Sequence, residues 1–263
     1  MVWIKICGIT GIGDADMAAS LNCDAIGLVF AKTSLRKIEY KKAIQIVNFL
    51  RDKFKDNNGD LKINSGHREI QSNKRMPSVA GVFVNEGIDE VIEKTIKLEL
   101  DFVQFSGDED KKYLDDFKRK LDKSLRAVNY KNNFMNIKRN TENKVRNVSI
   151  IKSIRVNDQD KLIKDEIIKK IMNFITIADY FLLDKYSEES YGGTGKTFGW
   201  KAIDNLGNRF PIILAGGLSP ENVAEAVKTV SPFGIDASSK LENRPGKKDI
   251  EKVRDFIKNA RSL

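Results

Sequence analysis

Eight short apolar runs, each followed by an amphipathic segment, are the feature of this 263-residue chain that most limits its possible folds. Each run is nearly continuous in apolar residues, as in a strand covered on both faces, whereas a half-exposed strand would alternate. The predicted strands are 2–7, 25–30, 79–84, 102–105, 149–154, 180–184, 212–215 and 234–236. The predicted helices are 14–21, 41–54, 88–98, 111–121, 158–175, 201–206, 221–229 and 249–260.

Eight strand–helix units in about 250 residues predict the α/β class and a (β/α)8 TIM barrel. An open, doubly wound sheet usually has fewer strands. We expect residues 1–263 to form a single domain. In such a barrel the functional site is built by side chains and loops at the C-terminal ends of the strands.

The net charge of +9 is concentrated in two segments. Segment 51–77 holds seven basic residues against four acidic ones, and segment 111–148 holds twelve against four. Both precede predicted strands, the third and the fifth, so we interpret them as solvated basic insertions at the N-terminal face of the barrel, away from the site. Nucleic acid is therefore not favoured as a partner, because such charge alone binds weakly and in a salt-sensitive way.

The composition also argues against several classes of protein. No apolar stretch approaches the roughly 20 residues of a membrane span. Residues 1–7 form too short an apolar run for a signal peptide, so we expect a cytoplasmic protein with no membrane partner. Two cysteines and one histidine cannot form a disulfide framework or a zinc site, so we expect no structural metal.

Three polar residues stand where predicted strands end. Asp184 closes an apolar run just before a glycine-rich stretch, which is how a barrel places a catalytic acid. Cys7 ends the first strand and is followed by Gly8, so we expect its thiol to face the pocket and to act as a base once its pKa falls below the free value near 8.5. Arg36 follows the second strand, where its guanidinium can hold a carboxylate with two parallel hydrogen bonds.

Gly216-Gly217 and Ser238-Ser239 follow the last two strands, where barrels commonly bind phosphate through backbone N–H groups. Glycine lets the backbone approach an anion, and serine adds hydroxyl donors. The glycine-rich stretch after Asp184 resembles a nucleotide-binding P-loop, but that motif needs a glycine where the chain has Ser190. We therefore assign phosphate binding to the loops after the last two strands.

Taken together, the motifs resemble those of the phosphoribosylanthranilate isomerase family of tryptophan biosynthesis. They follow the family's order over nearly the whole chain, apart from the two basic segments. The matching motifs are KICGIT at 5–10, GVFVN at 81–85, VQ at 103–104 with GDE at 107–109, LLD at 182–184, GGTGKTF at 192–198, LAGGL at 214–218 with PENV at 220–223, and DASSKLE at 236–242 with PGKKD at 245–249.

The resemblance implies an Amadori rearrangement of N-(5-phosphoribosyl)anthranilate to 1-(2-carboxyphenylamino)-1-deoxyribulose 5-phosphate, without a cofactor or metal. We expect a monomer or homodimer, a choice that the sequence leaves open. It implies that Asp184 is the general acid that protonates the furanose oxygen and Cys7 the general base that removes the C2′ proton. Arg36 would hold the anthranilate carboxylate. The residues implied to hold the phosphate are Gly216, Gly217, Ser238 and Ser239.

Three positions depart from the family's pattern. Lys240 stands where glycine is usual, Ser106 where histidine is usual, and Gly199 where an aspartate usually precedes Trp200. If the first of these positions required a positive φ, lysine there would cost about 1 kcal/mol. We expect these changes to affect binding more than the reaction itself.

Two other functions stay open. One is a sugar-phosphate isomerase or epimerase from another family of phosphate-binding barrels, which Cys7 disfavours because the related isomerase of histidine biosynthesis is expected to carry aspartate there. The other is a catalytically silent barrel that binds a partner through its basic segments. The presence of both Cys7 and Asp184 disfavours this second possibility.

Overall fold

The structure, a computed structural model, describes residues 1–55, 75–134, 147–156, 163–185 and 199–262, and for 129–134 it describes the backbone alone. Eight parallel strands close into a barrel in chain order, so that the last strand pairs with the first. The strands are β1 (Trp3–Cys7), β2 (Ala25–Val29), β3 (Ser78–Phe83), β4 (Phe102–Phe105), β5 (Ser149–Val156), β6 (Tyr180–Lys185), β7 (Ile212–Leu214) and β8 (Gly234–Ala237). The predicted (β/α)8 barrel is confirmed, and each strand end lies within two residues of its predicted place.

Helices follow most of the strands on the outside of the barrel. They are α1 (Ile12–Ser20), α2 (Tyr40–Phe54), α3 (Ile88–Leu98), α4 (Lys111–Phe134), α5 (Ile163–Phe174), α6 (Val223–Val230) and α7 (Ile250–Arg261). After β8 the chain forms a 3₁₀ turn (Ser239–Leu241) and a small antiparallel hairpin of β9 (Glu242–Arg244) and β10 (Lys247–Lys248). The sequence patterns had not predicted this hairpin.

Two predicted helices were wrong in extent or type. Helix α4 runs on to Phe134 instead of ending at Leu121, because Leu125 continues its apolar stripe and no proline or glycine interrupts it. In place of the helix predicted at 201–206, two 3₁₀ turns (Trp200–Ile203 and Leu206–Asn208) connect β6 to β7. Asn205 takes a left-handed φ of 52° between them, which an α-helix does not allow.

The interior of the barrel changes from apolar to polar along the strands. At the N-terminal end, Trp3, Phe102 and Tyr180 close the barrel, with the rings of Trp3 and Phe102 5.4 Å apart. On β1, Ile4 and Ile6 pack in the main core with the helices, while the alternate positions face inward. The sealed lower end leaves the C-terminal mouth as the place for a site.

The two basic segments precede β3 and β5, but most of the described part of the second is helix α4 itself, not an insertion. Segment 51–77 begins in the last turn of α2 and leads to β3, and segment 111–148 begins with α4 and leads to β5. Residues 56–74 and 135–146 of these segments lie outside the described part of the chain. Within the described ranges, the helices are too short or too polar to span a bilayer.

Candidate active site

Cys7 lies at the C-terminal end of β1, inside the mouth of the barrel. Its side chain is 7% exposed and packs against Val29 and Val82 on the next two strands. Gly27, its partner in register on β2, makes room for the sulfur, since a Cβ at Gly27 would lie only 2.6 Å from Cys7 Sγ. The thiol therefore rests against bare backbone, and its position depends on glycine at 27.

Asp184 lies at the same end of the barrel, near the end of β6. Burial raises the pKa of its carboxyl to about 6, with a further contribution from the nearby Asp236 carboxylate. Gly216 follows β7 with a φ of 84°, and a Cβ on it would lie 2.9 Å from Asp184 Oδ1. The acid predicted from the sequence therefore touches the first loop predicted to hold phosphate.

A buried ion pair lies beneath Cys7. Lys5 on β1 and Asp236 on β8 are partners in register, with Nζ 2.9 Å from Oδ2 and no part of the Lys5 side chain exposed. The contact is an ion pair without the angles of a hydrogen bond, and Asp236 Oδ1 has no hydrogen-bond partner among the described residues. Burial alone would lower the pKa of Lys5, but Asp236 and Cys7 outweigh it and raise that pKa above its usual value.

Three charged groups act on the thiol of Cys7. The pKa of this thiol lies above its usual value, contrary to the fall expected from the sequence, because burial outweighs the Lys5 ammonium, which opposes the rise most strongly. Asp236 raises the same pKa, while the Lys248 ammonium lowers it. The two cations therefore offset part, but not all, of the effect of burial on the pKa of Cys7.

Arg36 does not point freely into the mouth. Its Nε donates to Glu242 Oε1 at 3.0 Å and its Nη2 donates to Oε2 at 2.8 Å, with both side chains largely buried. Glu242 also accepts a hydrogen bond from Lys248 Nζ at 2.8 Å, and Lys248 donates to the Ser238 carbonyl at 3.1 Å. A buried chain of charges thus connects Arg36 to the serine loop.

The residues predicted to bind phosphate lie in the loops after β7 and β8. Gly216 and Gly217 both have positive φ, 84° and 68°, which glycine adopts readily. Ser238 precedes the 3₁₀ turn that Ser239 begins, and a Cβ on Gly8 would lie 2.8 Å from Ser238 Oγ and from Arg36 Cδ. Gly8 therefore brings the arginine and the serine loop together just above Cys7.

The three departures from the family's pattern have simple local environments. Lys240 is exposed in the 3₁₀ turn and does not have a positive φ, so the strain considered for it is absent. Ser106 accepts a hydrogen bond from Gln104 Nε2 at 2.9 Å. Gly199 precedes the 3₁₀ turn at Trp200, whose buried Nε1 has no partner in the described ranges.

The structure brings together Cys7, Asp184, Gly216 and Ser238 at one end of the barrel. Sequence reasoning assigned no role to Lys5, Asp236, Glu242 or Lys248. The signal for Lys5 was a lysine inside an otherwise apolar strand, two positions before Cys7 and so on the same face. The glycine-rich stretch 191–198 lies outside the described residues.

The arrangement suits proton transfer. It combines a thiol near two ammonium groups with a carboxyl that can hold a proton near neutral pH, beside loops rich in hydrogen-bond donors. In the described part of the chain, no group of three or more His, Cys, Asp or Glu side chains is placed to hold a metal ion.

Comparison with known proteins identifies the family. A family profile described as N-(5'phosphoribosyl)anthranilate (PRA) isomerase matches residues 48–143 and 135–259. The chain is 33% identical over 263 residues to N-(5'-phosphoribosyl)anthranilate isomerase of Thermoanaerobacter pseudethanolicus and 34% identical to that of Geotalea uraniireducens, in each case covering 100% of both chains.

Solved structures agree. The phosphoribosyl anthranilate isomerase of Thermotoga maritima matches with a TM-score of 0.70 and 28% identity over 100% of both chains. A phosphoribosyl anthranilate isomerase in complex with reduced 1-(o-carboxyphenylamino)-1-deoxyribulose 5-phosphate matches with a TM-score of 0.67 and 27% identity, again over 100% of both. The predicted enzyme class is confirmed, and the chain belongs to the N-(5'-phosphoribosyl)anthranilate isomerase family of tryptophan biosynthesis.

Proposed function

We propose that this chain catalyses the Amadori rearrangement of N-(5-phosphoribosyl)anthranilate, with Asp184 as general acid and Cys7 as general base. One observation carries the assignment: the two residues lie at the same end of the barrel, and the charge of Asp236 acts on both. Strands β7 and β8 lie between the strands that carry Asp184 and Cys7, so the acid and the base can approach a bound sugar from two directions. The family membership supports the substrate.

The first step opens the sugar ring. Asp184 donates its proton to the furanose oxygen, the C1′–O bond breaks, and the lone pair of the anthranilate nitrogen forms a C1′=N bond. A carboxyl with a pKa of about 6 is protonated in roughly one molecule in ten at pH 7, and the negative charges of the substrate increase this fraction. Each such proton transfer contributes about 10²- to 10⁴-fold in rate.

The second step moves the double bond. The Cys7 thiolate removes the proton from C2′, the C–H electron pair forms a C1′=C2′ double bond, and the C1′=N electrons return to nitrogen. The resulting enolamine tautomerises to the C2′ ketone. The thiolate forms in a buried place, where its neighbours Lys5 and Lys248 compensate its charge.

We propose that Arg36 holds the anthranilate carboxylate. Glu242 engages Nε and one hydrogen of Nη2, and a guanidinium carries five N–H donors. Nη1 and the second hydrogen of Nη2 can then donate hydrogen bonds to the anthranilate carboxylate. Glu242 fixes the plane of the guanidinium, which reduces the entropy lost on binding.

We propose that the phosphate binds between the loops at Gly216-Gly217 and Ser238-Ser239. Positive φ at both glycines and the start of a 3₁₀ turn at the serines support this placement. Fixing the phosphate and the carboxylate at separate points would orient the sugar between acid and base. We also propose that the barrel acts as one domain, as a monomer or homodimer.

Growth of a tryptophan auxotroph that lacks this isomerase tests the function. Expression of the chain should restore growth without tryptophan, while the Cys7→Ala and Asp184→Asn variants, produced at equal levels, should not. A folded wild-type protein that fails to restore growth would contradict the proposal.

A further inference from the structure

The Lys5–Asp236 ion pair is the part of the mouth that the two proton transfers do not use directly. Lys5 is wholly buried, on β1, two residues before Cys7 and on the same face of the strand. Asp236 holds the Lys5 ammonium at 2.9 Å from the neighbouring strand β8. The positive charge is therefore fixed beside the sulfur.

The other end of the pair faces the acid. Asp236 acts on Asp184 across β7, and its Oδ1 is buried without a hydrogen-bond partner among the described residues. A carboxylate near a second carboxyl disfavours a negative charge on it. The positive charge of Lys5 thus lies beside Cys7, which must become a thiolate, and the negative charge of Asp236 lies beside Asp184, which must be protonated.

We propose that the Lys5–Asp236 ion pair polarises the two proton-transfer residues in opposite senses, the ammonium favouring the thiolate of Cys7 and the carboxylate favouring the protonated carboxyl of Asp184. Lys5 and Asp236 are positioning residues in this sense, since they act through Cys7 and Asp184. This role rests on the proposed function, which makes Cys7 the base and Asp184 the acid.

The electrostatic surroundings support both halves. Lys5 opposes the effect of burial on the pKa of Cys7 more strongly than any other neighbour, ahead of Lys248. Asp236 is second only to burial in raising the pKa of Asp184, and it outweighs the opposing effect of Lys5 there. Stability alone gives little reason for the pair, because a buried ion pair is often no more stabilising than apolar side chains of similar volume.

The test measures the two titrations directly. The pH dependence of iodoacetamide alkylation reports the thiol pKa of Cys7 in a Cys23→Ala parent, and ¹³C NMR reports the carboxyl of Asp184, assigned by its loss in Asp184→Asn. Lys5→Met should raise the thiol pKa by about one unit or more and lower kcat. Asp236→Asn should lower the pKa of Asp184 by about one unit.

A matched control separates this role from a structural one. Lys152 on β5 is also buried and pairs with Glu109 at 3.1 Å, but it is not among the groups that act most strongly on Cys7. Lys152→Met should leave the thiol pKa of the parent unchanged. Lys5→Met leaves Asp236 unpaired and could fail to fold, in which case the double variant Lys5→Met/Asp236→Asn takes its place. The thiol pKa should still rise in the double variant, because Lys5 lowers the pKa of Cys7 more than Asp236 raises it.

An unchanged thiol pKa in folded Lys5→Met or in the double variant would overturn the proposal, as would an unchanged Asp184 pKa in Asp236→Asn. These titrations need no turnover. A wild-type protein that does not isomerise the substrate contradicts the proposed function, whereas unchanged titrations in an active enzyme overturn only the role of the ion pair.

Discussion

Glu242 of β9 accepts hydrogen bonds from both Nε and Nη2 of Arg36, at 3.0 and 2.8 Å, in a largely buried position at the barrel mouth. Paired in this way, a guanidinium is fixed in plane and direction. Lys248 holds the same carboxylate from the other side at 2.8 Å. The hairpin after β8 therefore orients a residue that the sequence places after β2.

Glu242→Gln should weaken substrate binding more than catalysis. The amide cannot accept from both cations as a carboxylate does, so Arg36 loses its fixed orientation. We expect KM to rise about tenfold, equivalent to roughly 1.4 kcal/mol, with kcat nearly unchanged. Lys37→Gln removes a cation in the same loop that pairs with exposed Glu39, and it should leave KM as in the wild type. A fall in kcat with constant KM would contradict this role of Glu242.

Gly27→Ala should displace the sulfur of Cys7. The new methyl group would lie 2.6 Å from Sγ and 3.1 Å from the Cys7 Cα, so β1 must shift. Such overpacking costs about 1 to 3 kcal/mol, and misplacement of a reacting group by 1 Å can cost about 100-fold in rate. Urea unfolding and steady-state kinetics measure the two effects. In a Cys7→Ala background the stability cost should be smaller, and an equal cost would show that the sulfur is not the obstacle.

Gly216→Ala should impair both the acid and the loop beside it. Alanine disfavours a φ of 84°, and its Cβ would approach Asp184 Oδ1 to 2.9 Å. We expect a loss of about 1 to 2 kcal/mol in the free energy of unfolding, together with a lower kcat. Gly87→Ala is the matched control, since its added Cβ meets no atom within 4 Å and its φ is −65°. Equal behaviour of the two variants would refute the close contact.

Asp184→Asn should stabilise the fold at alkaline pH while removing activity. The folded pKa of about 6 exceeds the unfolded value near 3.9, so ionisation of Asp184 destabilises the folded state as pH rises through this window. At pH 8 the free energy of unfolding of the variant, measured by urea denaturation, should therefore exceed that of the wild type by roughly 1 to 3 kcal/mol. This difference should shrink toward pH 4. A difference independent of pH would indicate that the pKa of Asp184 is not raised.

The sequence sufficed for the barrel and for the residues at strand ends. Near-continuous apolar runs located every strand of the barrel, and strand-end positions located Cys7 and Asp184. The connection after β6 was mispredicted, because the left-handed turn at Asn205 leaves no clear apolar signal. Helix α4 was predicted too short, since its polar, asparagine-rich second half hid the apolar stripe that continues to Leu125.

The electrostatic part of the site could not be read from the sequence. Lys5 and Asp236 are separated by 231 positions and meet only because β8 closes on β1. The contact of Arg36 with Glu242 likewise depends on the unpredicted hairpin of β9 and β10. Residue type identified the groups that react, whereas barrel closure determined which charges surround them.

The most direct test of the account is the rate at which the purified protein converts N-(5-phosphoribosyl)anthranilate, followed by the change in fluorescence of the anthranilate group. The wild type should convert it without added metal or cofactor. Cys7→Ala and Asp184→Asn should each lower kcat by about 100-fold or more and still bind the reduced product analogue. A folded wild type without turnover, or near-normal kcat in Asp184→Asn, would contradict the assignment of the acid and base.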